Sequence, residues 1–307
     1  MGPPVVIAIF GPTGIGKTAV ALALARLLRA RGEEPLAISA DALQVYRGLE
    51  VLTGAADAAE RAELEHRLIS FLPVQESFSA GQYAQLAHAE IDGALAAGRV
   101  PIVVGGTGLY LRAALTELRL KPPPPEGARE RWTAELERVG APALHARLRA
   151  RAPWAATMDP NDRQRIVRAH ELLDAGELEP PPEQQPSQLW TDEVRHPTVL
   201  AGLTLERAAL YARIDARVEA MVAGGAREEA IAANAAGASD TARKALGFAD
   251  LLAGDVEAMK RRTRNYAKRQ LTWMRKLAGV EAIDVTGRGA EEVAAEIAAA
   301  ADSLRRS

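Results

Sequence analysis

The sequence predicts an α/β protein: a parallel sheet with helices on both faces, interrupted by an all-helical insertion. Three observations carry this. Short apolar runs alternate with amphipathic helical stretches in the N-terminal third. The octapeptide "GPTGIGKT" (11–18) falls between one such run and a helix. Two proline-rich breaks, "LRLKPPPPEG" (118–127) and "ELEPPPEQQPSQLW" (177–190), bracket a stretch with only helical patterning.

The elements follow in order. "VVIAIF" (5–10) is a β-branched run read as a buried strand, and a helix runs from Lys17 to about Ala30, with Gly32 beyond its end. "PLAIS" (35–39) is a second buried strand and "HRLIS" (66–70) a third. Ser79 opens an amphipathic helix over 79–98, and "VPIVVGG" (100–106) is another buried strand. Residues 128–175 read as helices. A returning strand, "HPTVLAGL", precedes helices at 205–225 and 226–237 and a long basic helix at 256–279. "VEAIDV" and "AEEVAAEIAAAADSLRRS" close the chain as strand and helix. The expected division is a core of 1–118 and 199–307, carrying the basic helix, and an insertion of 119–198.

The 307 residues suffice for a substantial core. Charged residues make up 25% and hydrophobic ones 48%, ordinary values for a globular protein. The net charge of −2 leaves no global basic signature, so a nucleic-acid partner would need a local patch. The absence of cysteine excludes disulfides, thiolate nucleophiles and cysteine-ligated metals. The five histidines show no metal-ligand spacing. No apolar run of about 18 residues occurs, and "MGPPVVIAIF" lacks a signal-type pattern. The expectation is a cytoplasmic, monomeric protein without a membrane partner.

Chemistry concentrates at the ends of the strands, where open parallel sheets bind ligands. "GPTGIGKT" satisfies G-x-x-x-x-G-K-[ST]. Gly11, Gly14 and Gly16 let backbone N–H groups approach an anion, with Pro12, Thr13 and Ile15 completing the loop; Lys17 adds a point charge, and the Thr18 hydroxyl can hold Mg²⁺. By itself the loop suggests nucleotide binding and ATP. Asp41, past the second strand, could bind the metal through water, accept a proton, or cap a helix over "ALQVY". The strand "VPIVV" ends in Gly-Gly-Thr, where a nucleoside triphosphatase places an acidic residue to organise Mg²⁺. Thr107 could touch substrate, fix Asp41, or cap "GLYLRAAL". Between Lys260 and Lys276 lie eight Lys or Arg residues and no acid, interleaved with Tyr266 and Trp273; such a helix can serve a polyanion or simply be solvated. "NDRQRIVR" (161–168) adds three arginines, with Gln164 and Arg168 on one helical face.

These residues together resemble the tRNA dimethylallyltransferases, also called tRNA isopentenyltransferases. The resemblance rests on "GPTGIGKT", "ISADALQVYRGL", "FSAGQYAQLA", "VPIVVGGTGLYLRA", "PNDRQRIVRA", "LYARIDARVEAMVAGGAREEA" and "RRTRNYAKRQLTW", in family order from residue 7 to about 275. "GFADLL" (247–252) and "SFLPV" (70–74) depart from the family pattern. The resemblance implies a P-loop-kinase-like core with a helical insertion that contacts tRNA. It also implies Mg²⁺ and transfer of a dimethylallyl group from dimethylallyl diphosphate to the exocyclic amine of the adenosine 3′ of the anticodon. It makes Asp41 the general base, with Lys17 and Thr107 beside it, and gives Thr13–Thr18 to the diphosphate with Arg264 as a further ligand. It places tRNA contacts on Asp41, Ala42, Leu43, Gln44, Thr107 and Arg129. Gln164, Arg165, Ile166, Val167 and Arg168 form a second group, and Arg243, Lys244, Ala245, Leu246, Gly247 and Phe248 a third.

Other readings predict different chemistry. A prenyltransferase of free adenine nucleotides needs no insertion. A small-molecule kinase turns over ATP and ignores dimethylallyl diphosphate. An RNA-binding protein with a vestigial loop releases no pyrophosphate.

Overall fold

The computed structural model describes residues 4–178 and 187–306. Six parallel strands form one sheet in the order β3-β2-β4-β1-β5-β6. They are β1 (Val6–Phe10), β2 (Pro35–Ser39), β3 (His66–Arg67), β4 (Val100–Gly105), β5 (Thr198–Thr204) and β6 (Val280–Asp284). Every residue of β1 and β2 is buried, because helices cover both faces of a parallel sheet. Alternate residues of β1 serve the two faces: Val6, Ala8 and Phe10 pack into one core cluster, Val5, Ile7 and Ile9 into the other.

Thirteen α-helices are found among the described residues. The first five are α1 (Lys17–Ala30), α2 (Glu50–Thr53), α3 (Ala58–Glu63), α4 (Ala80–Ala96) and α5 (Gly108–Leu115). Ser79 and Gln82 form a reciprocal capping box at the start of α4, satisfying two of its orphan donors. Helices α6 (Ala128–Val139), α7 (Ala141–Arg151) and α8 (Arg163–Asp174) follow. Then come α9 (Arg207–Ala223), α10 (Ala226–Ala235), α11 (Phe248–Leu252), α12 (Val256–Met274) and α13 (Ala290–Leu304). Helices α4 and α5 bury one face of the sheet; α1 and α13 bury the other.

The chain divides into two compact units. The core comprises residues up to Leu118 and from Ser187 onward. The second unit begins at Arg119 and holds α6–α8 around Leu136, Leu144 and Ile166. Its expected end at 198 lies too far along the chain. Residues 187–195 join the core, because the buried Arg112 guanidinium needs acceptors and takes the carbonyls of Gln188 and Glu193 at 2.9 and 3.2 Å. Trp190 packs on Trp273 in the same region, ring centroids 4.6 Å apart. The proline-rich break over 179–186 lies outside the described residues.

Two element boundaries also differ from expectation. Strand β3 stops after two residues, since Leu68 and Ser70 adopt φ of 57° and 49°, which no extended strand permits. Helix α12 ends at Met274, five residues early, with Gly279 in the left-handed region after it.

Candidate active site

The glycine-rich loop leaves the carboxyl end of β1 and enters α1. Gly14 and Gly16 have φ of 80° and 102°, a conformation that side-chain-bearing residues rarely hold. Gly16 is the N-cap of α1, which has no side-chain cap and no acidic residue in its first turn. Its orphan N–H groups and the positive end of its dipole are left for an external anion. Lys17 Nζ folds back on the loop, donating to the carbonyls of Gly11 and Pro12 at 2.9 and 3.0 Å. Burial lowers the Lys17 pKa to about 8; the nearby Asp41 carboxylate opposes this and Arg217 adds to it. Thr18 Oγ1 makes no protein hydrogen bond among the described residues and lines the same cavity.

That cavity, of about 490 Å³, opens over the carboxyl ends of the strands. The loop, Asp41, Gln44, Arg217, Tyr266 and Gln270 provide its polar wall, and Leu43, Leu52, Val218, Met221, Leu246 and Met259 its apolar wall. A charged cradle beside a greasy lining suits a molecule with an anionic head and a short hydrocarbon tail.

Asp41 lies two residues beyond β2. Its Oδ1 accepts the N–H of Leu43 at 3.0 Å, while Oδ2 makes no protein hydrogen bond among the described residues. No helix forms over "ALQVY", so Asp41 closes a local turn and is no helix cap. Thr107 occupies the N-cap position of α5 without capping it by its side chain. Its Oγ1 accepts the N–H of Ala42 at 3.2 Å, tying the segment after Asp41 to the end of β4. Of the roles the sequence left open for Thr107, the geometry favours fixing Asp41. Tyr266 of α12 stands close to Asp41 and Thr107; burial, then the Asp41 charge, pushes its phenol pKa up to about 12, so the phenol keeps its proton at neutral pH.

Arg264, expected as a further diphosphate ligand, is engaged within the fold. Its Nη1 donates to both oxygens of Asp215, at 2.5 and 2.7 Å, and it does not line the cavity. Arg217 lines the cavity. Its side chain is desolvated, which lowers its pKa, and Nη2 donates to the Gly54 carbonyl at 3.1 Å while Nε has no partner. The sequence carried a signal for it. Arg217 falls three residues after Ile214 and four before Met221, on the inward face of α9, where a charge needs a reason. Gln270 was likewise missed; its amide spans the loop and the end of β4.

The residues assigned to tRNA fall into three places. Leu43 and Gln44 rim the cavity after Asp41, with Ala42 between, and Gln44 Nε2 donates to Gly54 O at 3.1 Å. In the segment 243–248, Leu246 lines the cavity, Arg243 and Lys244 are exposed, and Ala245, Gly247 and Phe248 are buried. In the helical unit, Gln164 and Arg165 are exposed, but Ile166 and Val167 are core residues whose side chains cannot meet an RNA. Arg129 and Arg168 converge on the fully buried Glu171 carboxylate. Such a charge demands cationic partners, so both arginines have a structural duty. On α12, Lys260 pairs with Glu219 and Glu257, and Arg262 with Asp250, so part of the basic helix is neutralised within the fold.

Among the described residues no group of three or more His, Asp or Glu side chains could hold a metal. The donor set present, a threonine hydroxyl beside a phosphate cradle, fits Mg²⁺ shared with a bound diphosphate better than a protein cage. No helix is long and apolar enough to cross a membrane among those searched.

Known proteins resemble this chain along most of its length. The IPP transferase family pattern matches residues 44–277. A tRNA dimethylallyltransferase of Anaeromyxobacter sp. (strain Fw109-5) is 43% identical over 290 residues, covering 90% of this chain and 93% of its own. One from Geobacillus thermodenitrificans (strain NG80-2) is 38% identical over 293 residues, covering 92% and 90%. Among solved structures, the tRNA isopentenylpyrophosphate transferase of Bacillus halodurans superposes with a TM-score of 0.70 at 33% identity, covering 98% of this chain and 96% of that one. A eukaryotic dimethylallyltransferase acting on tRNA shares the fold, with a TM-score of 0.67 at 23% identity over 92% of this chain and 74% of its own. The fold and these relatives define a prenyl-group transferase. The chain belongs to the IPP transferase family.

Proposed function

We propose that this protein transfers the dimethylallyl group of dimethylallyl diphosphate to the exocyclic N6 amine of the adenosine 3′ of the anticodon in tRNA. It works as a cytoplasmic monomer. The observation that carries the reading is the pairing, across one cavity, of a phosphate cradle with a carboxylate whose outer oxygen is unengaged. The amine nitrogen attacks C1 of the prenyl group as the C1–O bond breaks, and diphosphate leaves with the bonding pair. Asp41 Oδ2 takes the proton that the amine sheds. Lys17, Arg217 and the loop amides stabilise the charge growing on the leaving diphosphate. Thr18 would hold Mg²⁺, which would supply further charge neutralisation at the cradle. The strand ending Gly105-Gly106-Thr107 needs no acid, because no water has to be aimed at a γ-phosphate. The apolar wall takes the five-carbon tail.

An anticodon-loop base is stacked in its RNA, so it must turn out into the cavity to react. Exposed Arg243 and Lys244 beside the cavity supply cationic contacts for the loop; Gln164 and Arg165, exposed on the helical unit, offer amide and cationic contacts to tRNA. Labelled prenyl transfer to an anticodon stem-loop, compared with AMP, tests the reading. Transfer to the stem-loop alone is expected; transfer to AMP at equal rate, or ATP turnover without prenyl transfer, would displace it.

A further inference from the structure

Gln270 lies on α12, far in sequence from both segments it touches, and is 5% exposed. Its Oε1 accepts the N–H of Thr13 in the phosphate loop at 2.9 Å. Its Nε2 donates to the carbonyl of Gly106 at 2.8 Å. The two backbone partners have opposite polarity, which fixes the orientation of the amide and uses both its ends. Beyond Gly106 the connection continues: Thr107 accepts from Ala42, the neighbour of Asp41. A chain of single contacts therefore runs from the loop that would hold the diphosphate to the carboxylate that would take the proton. The chain leaves room for this amide only because residue 106 is glycine; a Cβ there would come within 2.2 Å of Gln270 Nε2.

We propose that Gln270 is a positioning residue that fixes the separation between the diphosphate cradle and Asp41. The inference rests on the transfer reaction proposed above. Although Gln270 lines the cavity, it is only 5% exposed and each end of its amide is already engaged by backbone, so its role is assigned to positioning and not to holding substrate. Its effect falls on the alignment of the attacking nitrogen, the prenyl carbon and the base, where small displacements cost rate.

Gln270→Met keeps length and volume and loses both hydrogen bonds. The expected result is a single-turnover transfer rate about 10- to 100-fold lower, with KM for dimethylallyl diphosphate and tRNA within about 3-fold of wild type. Gly106→Ala, which pushes the amide aside without altering Gln270, should give the same split and decides the matter if Gln270→Met does not fold. Hydrogen exchange at the Thr13 amide, which needs no substrate, should quicken in the variant that folds. An unchanged transfer rate, a raised KM with rate intact, or unaltered Thr13 exchange would each overturn the proposal. Failure of the wild-type protein to transfer a prenyl group would instead remove the reaction reading, while the Thr13 exchange result would still report on the bridge.

Discussion

Asp215 holds Arg264 through both of its carboxylate oxygens, at 2.5 and 2.7 Å. Two residues further along α9, Arg217 turns inward and lines the cavity with Lys17 and Asp41. The two arginines should therefore answer differently to substitution. Arg217→Ala is expected to lower kcat/KM for dimethylallyl diphosphate about 100-fold or more, as loss of a desolvated cation facing a developing anion does. Arg264→Ala should change it by less than about 5-fold, its role being a partly exposed ion pair. Steady-state kinetics on both variants, with stability checked by thermal melting, decides between them; equal losses would contradict the assignment.

Asp41 is the base in this account. Asp41→Asn preserves an oxygen to accept the Leu43 N–H but cannot take a proton. Transfer should fall by about 10²- to 10⁴-fold, while diphosphate binding, measured by calorimetry, stays within a few-fold of wild type. Full activity in Asp41→Asn would sink the assignment.

Lys17 is expected to make diphosphate binding pH-dependent. Burial places its pKa at about 8 in the free protein, against an ordinary 10.5. An arriving anion favours the charged form and raises the value. Affinity is therefore full below pH 8 and falls as pH rises through it, approaching about ten-fold per pH unit, with a proton taken up on binding. Stability of the free protein runs the other way: the unfolded chain holds this proton up to 10.5, so the Lys17 contribution is fully present above that pH and lost as pH falls through 8. Calorimetry of pyrophosphate binding in buffers of differing ionisation heat should show proton uptake about one unit above pH 8. Lys17→Met should abolish it; uptake of equal size in that variant would refute the role.

RNA binding should weaken as salt rises, because Arg243, Lys244 and, on α12, Lys268 and Arg269, which make no ion pair among the described residues, offer phosphate contacts. A loss of about ten-fold or more between roughly 50 and 200 mM salt is expected, by counterion release. A flat titration by filter binding or anisotropy would place the RNA elsewhere.

The fold was legible because its strands are buried on both faces and read as continuous apolar runs, as in "VIAIF" and "PLAIS". The phosphate loop was legible because its function lies in glycines and one local helix start. What escaped depends on contacts far apart in sequence. Arg264 and Arg217 are both basic residues on helices, and only the position of Asp215 tells which of them is already engaged. Gln270 gains its meaning from Thr13, 257 residues away. Ile166 and Val167 sit within "PNDRQRIVRA", one of the stretches that carried the resemblance, yet the periodicity of α8 turns them into the helical core. The end of the insertion was misplaced because Arg112 draws residues 188–193 back onto the core, a buried-charge requirement that composition does not reveal.

The central claim is that the loop clamps a prenyl diphosphate and not a nucleoside triphosphate poised for hydrolysis. Incubation of the protein with unmodified tRNA, Mg²⁺ and dimethylallyl diphosphate, followed by mass analysis of the anticodon-loop nucleosides, tests it most directly. The account predicts one added dimethylallyl group on the adenosine 3′ of the anticodon, with pyrophosphate released in equal amount. An unmodified adenosine, together with ATP turnover by the same protein, would contradict it.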